Sequence, residues 1–191
     1  MDLPSRFGSV SVRCVDSHGQ PANVWVTSIP WFGSSERDEA RRLYGSPTWE
    51  TERTDSDGRA LIKCLLGNVY ALKIKDPLLR FAPMLLDRFT VGTTPVQLGT
   101  IVLEEAAELT VIVEPWRGER PQGTVVVRCL ADESDSNLRP LRHEEDLKGR
   151  GAIHLRGLKP GDGWVELRAH GMAPLRKAVS LKPGAASVVR L

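Results

Sequence analysis

Four groups of residues in this chain carry the atoms that chemistry needs. The first is Thr54-Asp55-Ser56-Asp57-Gly58, where two carboxylates and a glycine could open a calcium loop. Such a loop needs further oxygens at fixed later positions and a closing acid. Here Arg59, Ala60, Leu61 and Ile62 follow, which read as a strand. Asp-Gly supplies the positive φ that hairpin turns favour, so the stretch is expected to be a turn. The second group is His143-Glu144-Glu145-Asp146, the densest polar cluster, inside the long segment 132–150. His18, His143, His154 and His170 sit in separate contexts, with no H-E-x-x-H and no i, i+4 pair. The cluster is expected to be a solvated loop.

The cysteines Cys14, Cys64 and Cys129 form the third group. No close C-x2-C pair exists, which argues against a zinc site. Each ends an alternating run (Val10-x-Val12-x-Cys14, Ala60-x-Ile62-x-Cys64, Val125-x-Val127-x-Cys129) and reads as a small buried hydrophobe. A Cys14–Cys64 disulfide stays open at this level. The sequence contains no G-x-S-x-G, no S-x-x-K, no Walker loop and no dinucleotide fingerprint. The expectation is therefore a chain with no catalytic residue, no metal and no cofactor.

The fourth group is aromatic and basic. Trp25 lies between Val24 and Val26, so it faces outward if the valines face a core. Trp31 and Phe32, then Arg41 and Tyr44, then Trp49 follow within a short span. Aromatics interleaved with arginines suit a partner surface, or stacking on a sugar. The favoured reading of the residues alone is that they cover their own domain or pack on the second one. Trp25, Trp31, Phe32, Arg41, Tyr44 and Trp49 are the candidate binding residues.

The elements that would position these residues are strands. Period-two alternation dominates: Val10/Val12/Cys14, Val24/Val26, Ala60/Ile62/Cys64, Tyr70/Leu72/Ile74, Phe89/Val91 and Val96/Leu98 with Ile101/Leu103. The second half repeats the grammar with Leu109/Val111/Val113, Val125/Val127/Cys129, Ile153/Leu155, Val165/Leu167/Ala169, Val179/Leu181 and Val189/Leu191. Gly58-x-Ala60-x-Ile62-x-x-Leu65 matches Gly151-x-Ile153-x-Leu155-x-x-Leu158, two copies of one plan. The fold expected is all-β: two tandem antiparallel sandwiches, Ig-like or prealbumin-like, over residues 8–104 and 108–191. Residues 34–45 break the pattern, with serines, early acids, late arginines and a closing glycine, and predict a short helical insertion in the first domain.

The chain has 191 residues, 41% hydrophobic and 26% charged, with a formal net charge of +2. That balance fits a globular protein and gives no reason to expect nucleic acid. Residues 77–91 form the most apolar stretch, and Arg80, Pro83, Asp87 and Arg88 break it, so no membrane span is expected. The N-terminus lacks the pattern of a signal peptide, which points to the cytoplasm, with the periplasm or cell surface as the alternative if a leader was removed.

Gly19-Gln20-Pro21, Val24-x-Val26, Thr54-Asp55-x-Asp57-Gly58-Arg59, Leu65-x-Gly67-x-x-Tyr70-x-Leu72-x-Ile74 and Leu98-Gly99-x-Ile101-x-Leu103 together resemble the carboxypeptidase regulatory-like domain. The second copy resembles a divergent member through Leu158-Lys159-Pro160-Gly161-x-Gly163 and Ala169-His170-Gly171-Met172-Ala173-Pro174. The resemblance implies a transthyretin-like β-sandwich and a non-catalytic module that works as a spacer, a support or a binding surface. The C-terminal Tyr-Arg-Gly-Ser of related hydroxyisourate hydrolases is replaced here by Ser-Val-Val-Arg-Leu. Neither first strand offers the lysine of an isopeptide crosslink. The expected partner is a protein, bound through the insertion or a sheet edge, with homo-oligomers or carbohydrate as further readings. An accessory domain pair of an enzyme or a surface assembly is another.

Overall fold

A computed structural model describes residues 6–31, 49–115, 122–129, 143–169 and 171–191. Among them are fourteen strands and no helix. The helix expected at 34–45 lies outside the described residues. The chain divides into two compact units at Glu104–Glu105, and the short segment Leu79–Pro83 groups with the second.

The first unit contains β1 (Phe7–Val15), β2 (Trp25–Trp31), β3 (Thr51–Arg53), β4 (Arg59–Leu65), β5 (Val69–Lys75), β6 (Met84–Thr90) and β7 (Val96–Val102). They form one sheet in the order β4-β1-β7 and another in the order β3-β2-β5-β6. The second unit contains β8 (Ala107–Ile112), β9 (Gly123–Cys129), β10 (His143–Asp146), β11 (Ala152–Leu158), β12 (Gly161–Ala169), β13 (Leu175–Leu181) and β14 (Ala186–Arg190). Its sheets run β11-β8-β14 and β10-β9-β12-β13, the same plan strand for strand. The register repeats as well. Val10 faces Ile62 and Val12 faces Ala60, as Leu109 faces Leu155 and Val111 faces Ile153.

The sheets are antiparallel, as expected, except at one pairing in each unit. β1 pairs with β7 in parallel, and β8 pairs with β14 in parallel. Each last strand returns to its unit's first strand running the same way. The β1–β7 register slips between Ser11 and Arg13, beside Gly99 at φ 76°. That is a bulge on an edge strand.

Alternation decides which side of each strand is buried. Val10, Val12 and Cys14 of β1 and Ala60, Ile62 and Cys64 of β4 are buried against Val26 and Ser28 of β2 and Tyr70, Leu72 and Ile74 of β5. The Cys64 thiol is hydrogen-bonded to Ser28 on the facing sheet. In the second unit Leu109, Val111, Val125, Val127, Ile153, Leu155, Val165 and Leu167 build one cluster from both sheets.

Two strands escaped the alternation signal because they lie at sheet edges. β3 is Thr-Glu-Arg and fully exposed. β10 is the His143–Asp146 cluster, which is a strand rather than the loop expected: His143 pairs with Val127 and Asp146 with Thr124. An edge strand needs ladder bonds on one side only and carries charge to deter further pairing. β12 begins at Gly161, inside the run Leu158-Lys159-Pro160-Gly161-x-Gly163.

The opening aspartates are turn residues. The Asp55 carboxylate accepts the Asp57 N–H at 2.9 Å and the Arg59 N–H at 2.8 Å. Asp55 N–H donates to the Arg59 carbonyl at 2.8 Å, and Gly58 N–H to the Asp55 carbonyl at 3.0 Å. Asp16-Ser17-His18-Gly19-Gln20 repeats this bond for bond: the Asp16 carboxylate takes the N–H groups of His18 and Gln20. Gly19 and Gly58 sit at φ 78° and 77°. Their surroundings differ. A Cβ at Gly19 would meet nothing within 4 Å, whereas one at Gly58 would overlap the Cys14 carbonyl oxygen.

Gly19→Ala is therefore expected to cost about 1 kcal/mol for the left-handed backbone alone. Gly58→Ala is expected to cost at least about 2 kcal/mol, because the Cys14–Ala22 strand contact must also move. Urea denaturation of the two variants side by side checks the order.

Candidate functional site

The strand parity that fills the first core also builds a surface on the far side of β3-β2-β5-β6. Val24, Val26, Ser28 and Pro30 point inward and are buried, which turns Trp25, Thr27, Ile29 and Trp31 outward. Trp25 is 40% exposed. Thr51 joins this face, with its hydroxyl 3.0 Å from that of Thr27. Trp49 has the parity of Thr51 across Glu50, whose carbonyl accepts the Ser28 N–H at 2.8 Å, and it is 69% exposed. On β5 the outward residues are Val69, Ala71, Lys73 and Lys75. The structure thus brings Trp25, Trp31 and Trp49 onto one sheet face. Phe32, Arg41 and Tyr44 lie outside the described residues.

The face is basic as well as aromatic. The Arg88 guanidinium carbon stands 3.6 Å from the centre of the Trp31 ring, close enough for a cation–π contact. Arg53, opposite Trp25, donates to Asn23 at 2.6 Å. Lys75 is the other neighbour of Trp25, and Lys73 lies between Thr27 and Leu85. Arg53, Lys73, Lys75 and Arg88 were missed from the sequence. Their signal was present in β5, where Lys73 and Lys75 alternate with the inward residues Leu72 and Ile74.

The equivalent face of the second unit is built differently. Trp164, Glu166 and Arg168 alternate on β12 with the core residues Val165 and Leu167, so they point outward together. Arg176 stands 3.9 Å and Arg128 5.2 Å from the Trp164 ring centre. Arg176 Nη2 also donates to a Glu166 oxygen at 2.9 Å, and Arg168 Nε donates to the other oxygen. This closes the face on itself: Trp164 is only 8% and Glu166 only 4% exposed.

Hydrogen bonds from Arg168 and Arg176 hold the Glu166 carboxyl below its usual range, against the opposing effect of desolvation. A depressed folded pKa means that this stabilisation is present above the unfolded glutamate value of about 4.3 and is lost as pH falls through the folded value.

The remaining groups are structural. His18 lies in the Asp16 turn. His154 sits on exposed β11, 3.1 Å from the Thr110 hydroxyl and 3.4 Å from Glu108. His143 is on β10, and His170 lies outside the described residues. No cluster of metal-ligating side chains occurs among the described residues, and no helix there is long and apolar enough to cross a membrane. Cys14 and Cys64 are buried free thiols. Cys64 stands opposite Gly8 at one end of β1, and Cys14 is six residues further along, roughly 20 Å away. That separation rules out the disulfide left open by the sequence. Burial pushes the Cys14 thiol up to about 11 and raises Cys64 in the same direction.

No family model matches the sequence, and no curated protein matches it. Solved structures give low-scoring likenesses. The minor pilin GBS52 of Streptococcus agalactiae aligns over 96% of this chain and 94% of its own, at 11% identity and TM-score 0.40. A streptococcal ancillary pilin aligns over 98% of this chain and 62% of its own, at 16% identity and TM-score 0.35. The shaft pilin SpaA of Lactobacillus rhamnosus GG aligns over 96% of each chain, at 11% identity and TM-score 0.34. At these scores the likeness carries no argument about function.

Two outcomes follow from the site chemistry. Glu166→Gln is expected to lower stability at pH 7 by about 1–2 kcal/mol, since two arginines lose a charged acceptor. The gap from wild type should narrow as pH falls below the unfolded glutamate value of about 4.3 and close as the native carboxylate is itself protonated; chemical denaturation across pH measures this. In a Cys129→Ser background, the native protein should resist a thiol-specific chromogenic reagent at pH 8 and release both thiols on unfolding.

Proposed function

We propose that the chain is a non-catalytic interaction module whose first unit receives a protein partner on the outer face of β3-β2-β5-β6. The observation that carries this reading is the gathering of Trp25, Trp31 and Trp49, with four cations, on one side of a rigid sheet. Exposed tryptophan is costly to leave in water and is over-represented where proteins dock. The polar groups that looked chemical in the sequence are engaged in turns and ladders: the Asp55 carboxylate holds backbone N–H groups, and His143–Asp146 pairs with β9. The seven-strand plan and the paired Asp-x-x-Gly turns support reading the units as two tandem domains of the carboxypeptidase regulatory-like, transthyretin-like kind. They would serve as a support or spacer that also presents a contact face.

The test is affinity capture from the native host with the full chain and with Trp25→Ser/Trp49→Ser. Both side chains are exposed, so the double variant should keep the wild-type melting temperature and lose at least about tenfold of the partner recovered. Equal recovery by the two proteins rejects the face as the contact. A tryptophan fluorescence response to neutral glycans, lost in the same variant, would replace the protein partner by carbohydrate.

A further inference from the structure

The chain contains its own reference for what a completed outer face looks like. A gapless alignment of Gly58–Ile74 on Gly151–Leu167 keeps both cores in step: Leu65 falls on Leu158, Leu72 on Val165 and Ile74 on Leu167. The strand pairings agree, because Ser28 faces Leu72 as Val127 faces Val165. The outward residues then correspond one by one. Ala71 stands where the second unit has Trp164, and Lys73 stands where it has Glu166. Thr27 and Leu85 flank Lys73 as Val126 and Arg176 flank Glu166.

In the second unit the carboxylate of Glu166 is the acceptor that two arginines share. In the first unit that position is an ammonium, and three other cations, Arg53, Lys75 and Arg88, share its face. Among the described residues the register places one carboxylate near them, Asp87 at the β6 bulge. Lys73 and Lys75 have no ion-pair partner among the described residues. The floor between the cations is apolar: Ile29 and Val69 are half-buried there, while Ala71 is already covered within the fold.

We propose that the outer face of the first unit takes an extended acidic segment of a partner protein, whose carboxylates occupy the place that Glu166 fills in the second unit. Apolar side chains of that segment lie on Ile29 and against Trp25 and Trp49. The proposal rests on the docking face argued above and adds the chemistry of its occupant. Lys73 and Lys75, without an ion-pair partner among the described residues, select for negative charge, while the tryptophans select for a segment that is not charged throughout. A neutral polysaccharide would use the rings and leave the cations without a role.

The test uses the full chain and two fluorescein-labelled peptides of equal length, one alternating glutamate and leucine, the other lysine and leucine. Polygalacturonate serves as the acidic carbohydrate. The glutamate–leucine peptide should bind in preference to the other two, and added salt should weaken it. Lys73→Glu/Lys75→Glu should weaken it about tenfold or more at an unchanged melting temperature, since each reversal replaces attraction by repulsion. Lack of binding, equal binding of both peptides, polygalacturonate binding as tightly as the acidic peptide, or full binding by the reversed variant each overturns the proposal. The two readings fail separately. If Trp25→Ser/Trp49→Ser loses the host partner and Lys73→Glu/Lys75→Glu retains it, the face is a contact site for a partner that is not acidic. If both variants retain it, the face itself is wrong.

Discussion

Strand parity is the constraint from which both units follow. A side chain on a strand points to one side or the other, and its neighbours point the opposite way. Once Val10, Val12 and Cys14 are committed to a core, Ser9, Ser11 and Arg13 have nowhere to go but out. The same rule puts Val26 inside and Trp25 outside, and Val165 inside and Glu166 outside. A slip of one residue would exchange the two sets, burying Lys73 and exposing Leu72, so register has to be held firmly. The turns do this. In Asp16–Gln20 and Asp55–Arg59 a single carboxylate oxygen satisfies two backbone N–H groups, which fixes how many residues the connection contains. Gly58 is further held by the Cys14 N–H, which donates to its carbonyl at 2.7 Å.

This explains what the repeat preserved and what it let go. Inward positions of the two units stay apolar, apart from Ser28 where the second unit has Val127, and keep their pairings, because a change of volume or polarity there affects both sheets at once. Outward positions answer to solvent or to a partner, and they have diverged further: Ile29 and Ala71 in one unit stand where Arg128 and Trp164 stand in the other, although Lys75 and Arg168 both keep a cation. The turns diverged too. Asp55-Ser56-Asp57-Gly58 has its counterpart in Lys148-Gly149, where both residues take positive φ, at 47° and 73°. A different turn chemistry makes the same crossing from one sheet to the other.

How much the sequence revealed depended on whether an element has a core side. β1, β2, β4, β5, β8, β9, β11 and β12 announce themselves by alternation, and so did the duplication. β3 and β10 did not, because Thr51–Arg53 and His143–Asp146 are edge strands with exposed, charged side chains that follow no apolar pattern. The parallel return of β7 and β14 was equally hidden, since it is a property of connections rather than of residues. Trp25 facing outward was legible from its buried neighbours. The cations beside it were not, because Lys73 and Arg53 reach Trp25's sheet face only through pairing between strands far apart in sequence.

The contrast between the two outer faces bears on why one would be left open. A guanidinium stacked on Trp164 and bonded to Glu166 loses little by being held, because the ring and the carboxylate replace the water it gives up. Desolvating a cation without such an acceptor is unfavourable, and Lys73 and Lys75 have no ion-pair partner among the described residues. The first unit therefore retains Trp25 and Trp49 in contact with solvent. A carboxylate brought from outside would change that balance in one step. It would neutralise the ammonium groups and let them lie over the sheet, and it would allow the rings to be covered. The second unit holds the acceptor in its own strand, and its tryptophan is already covered.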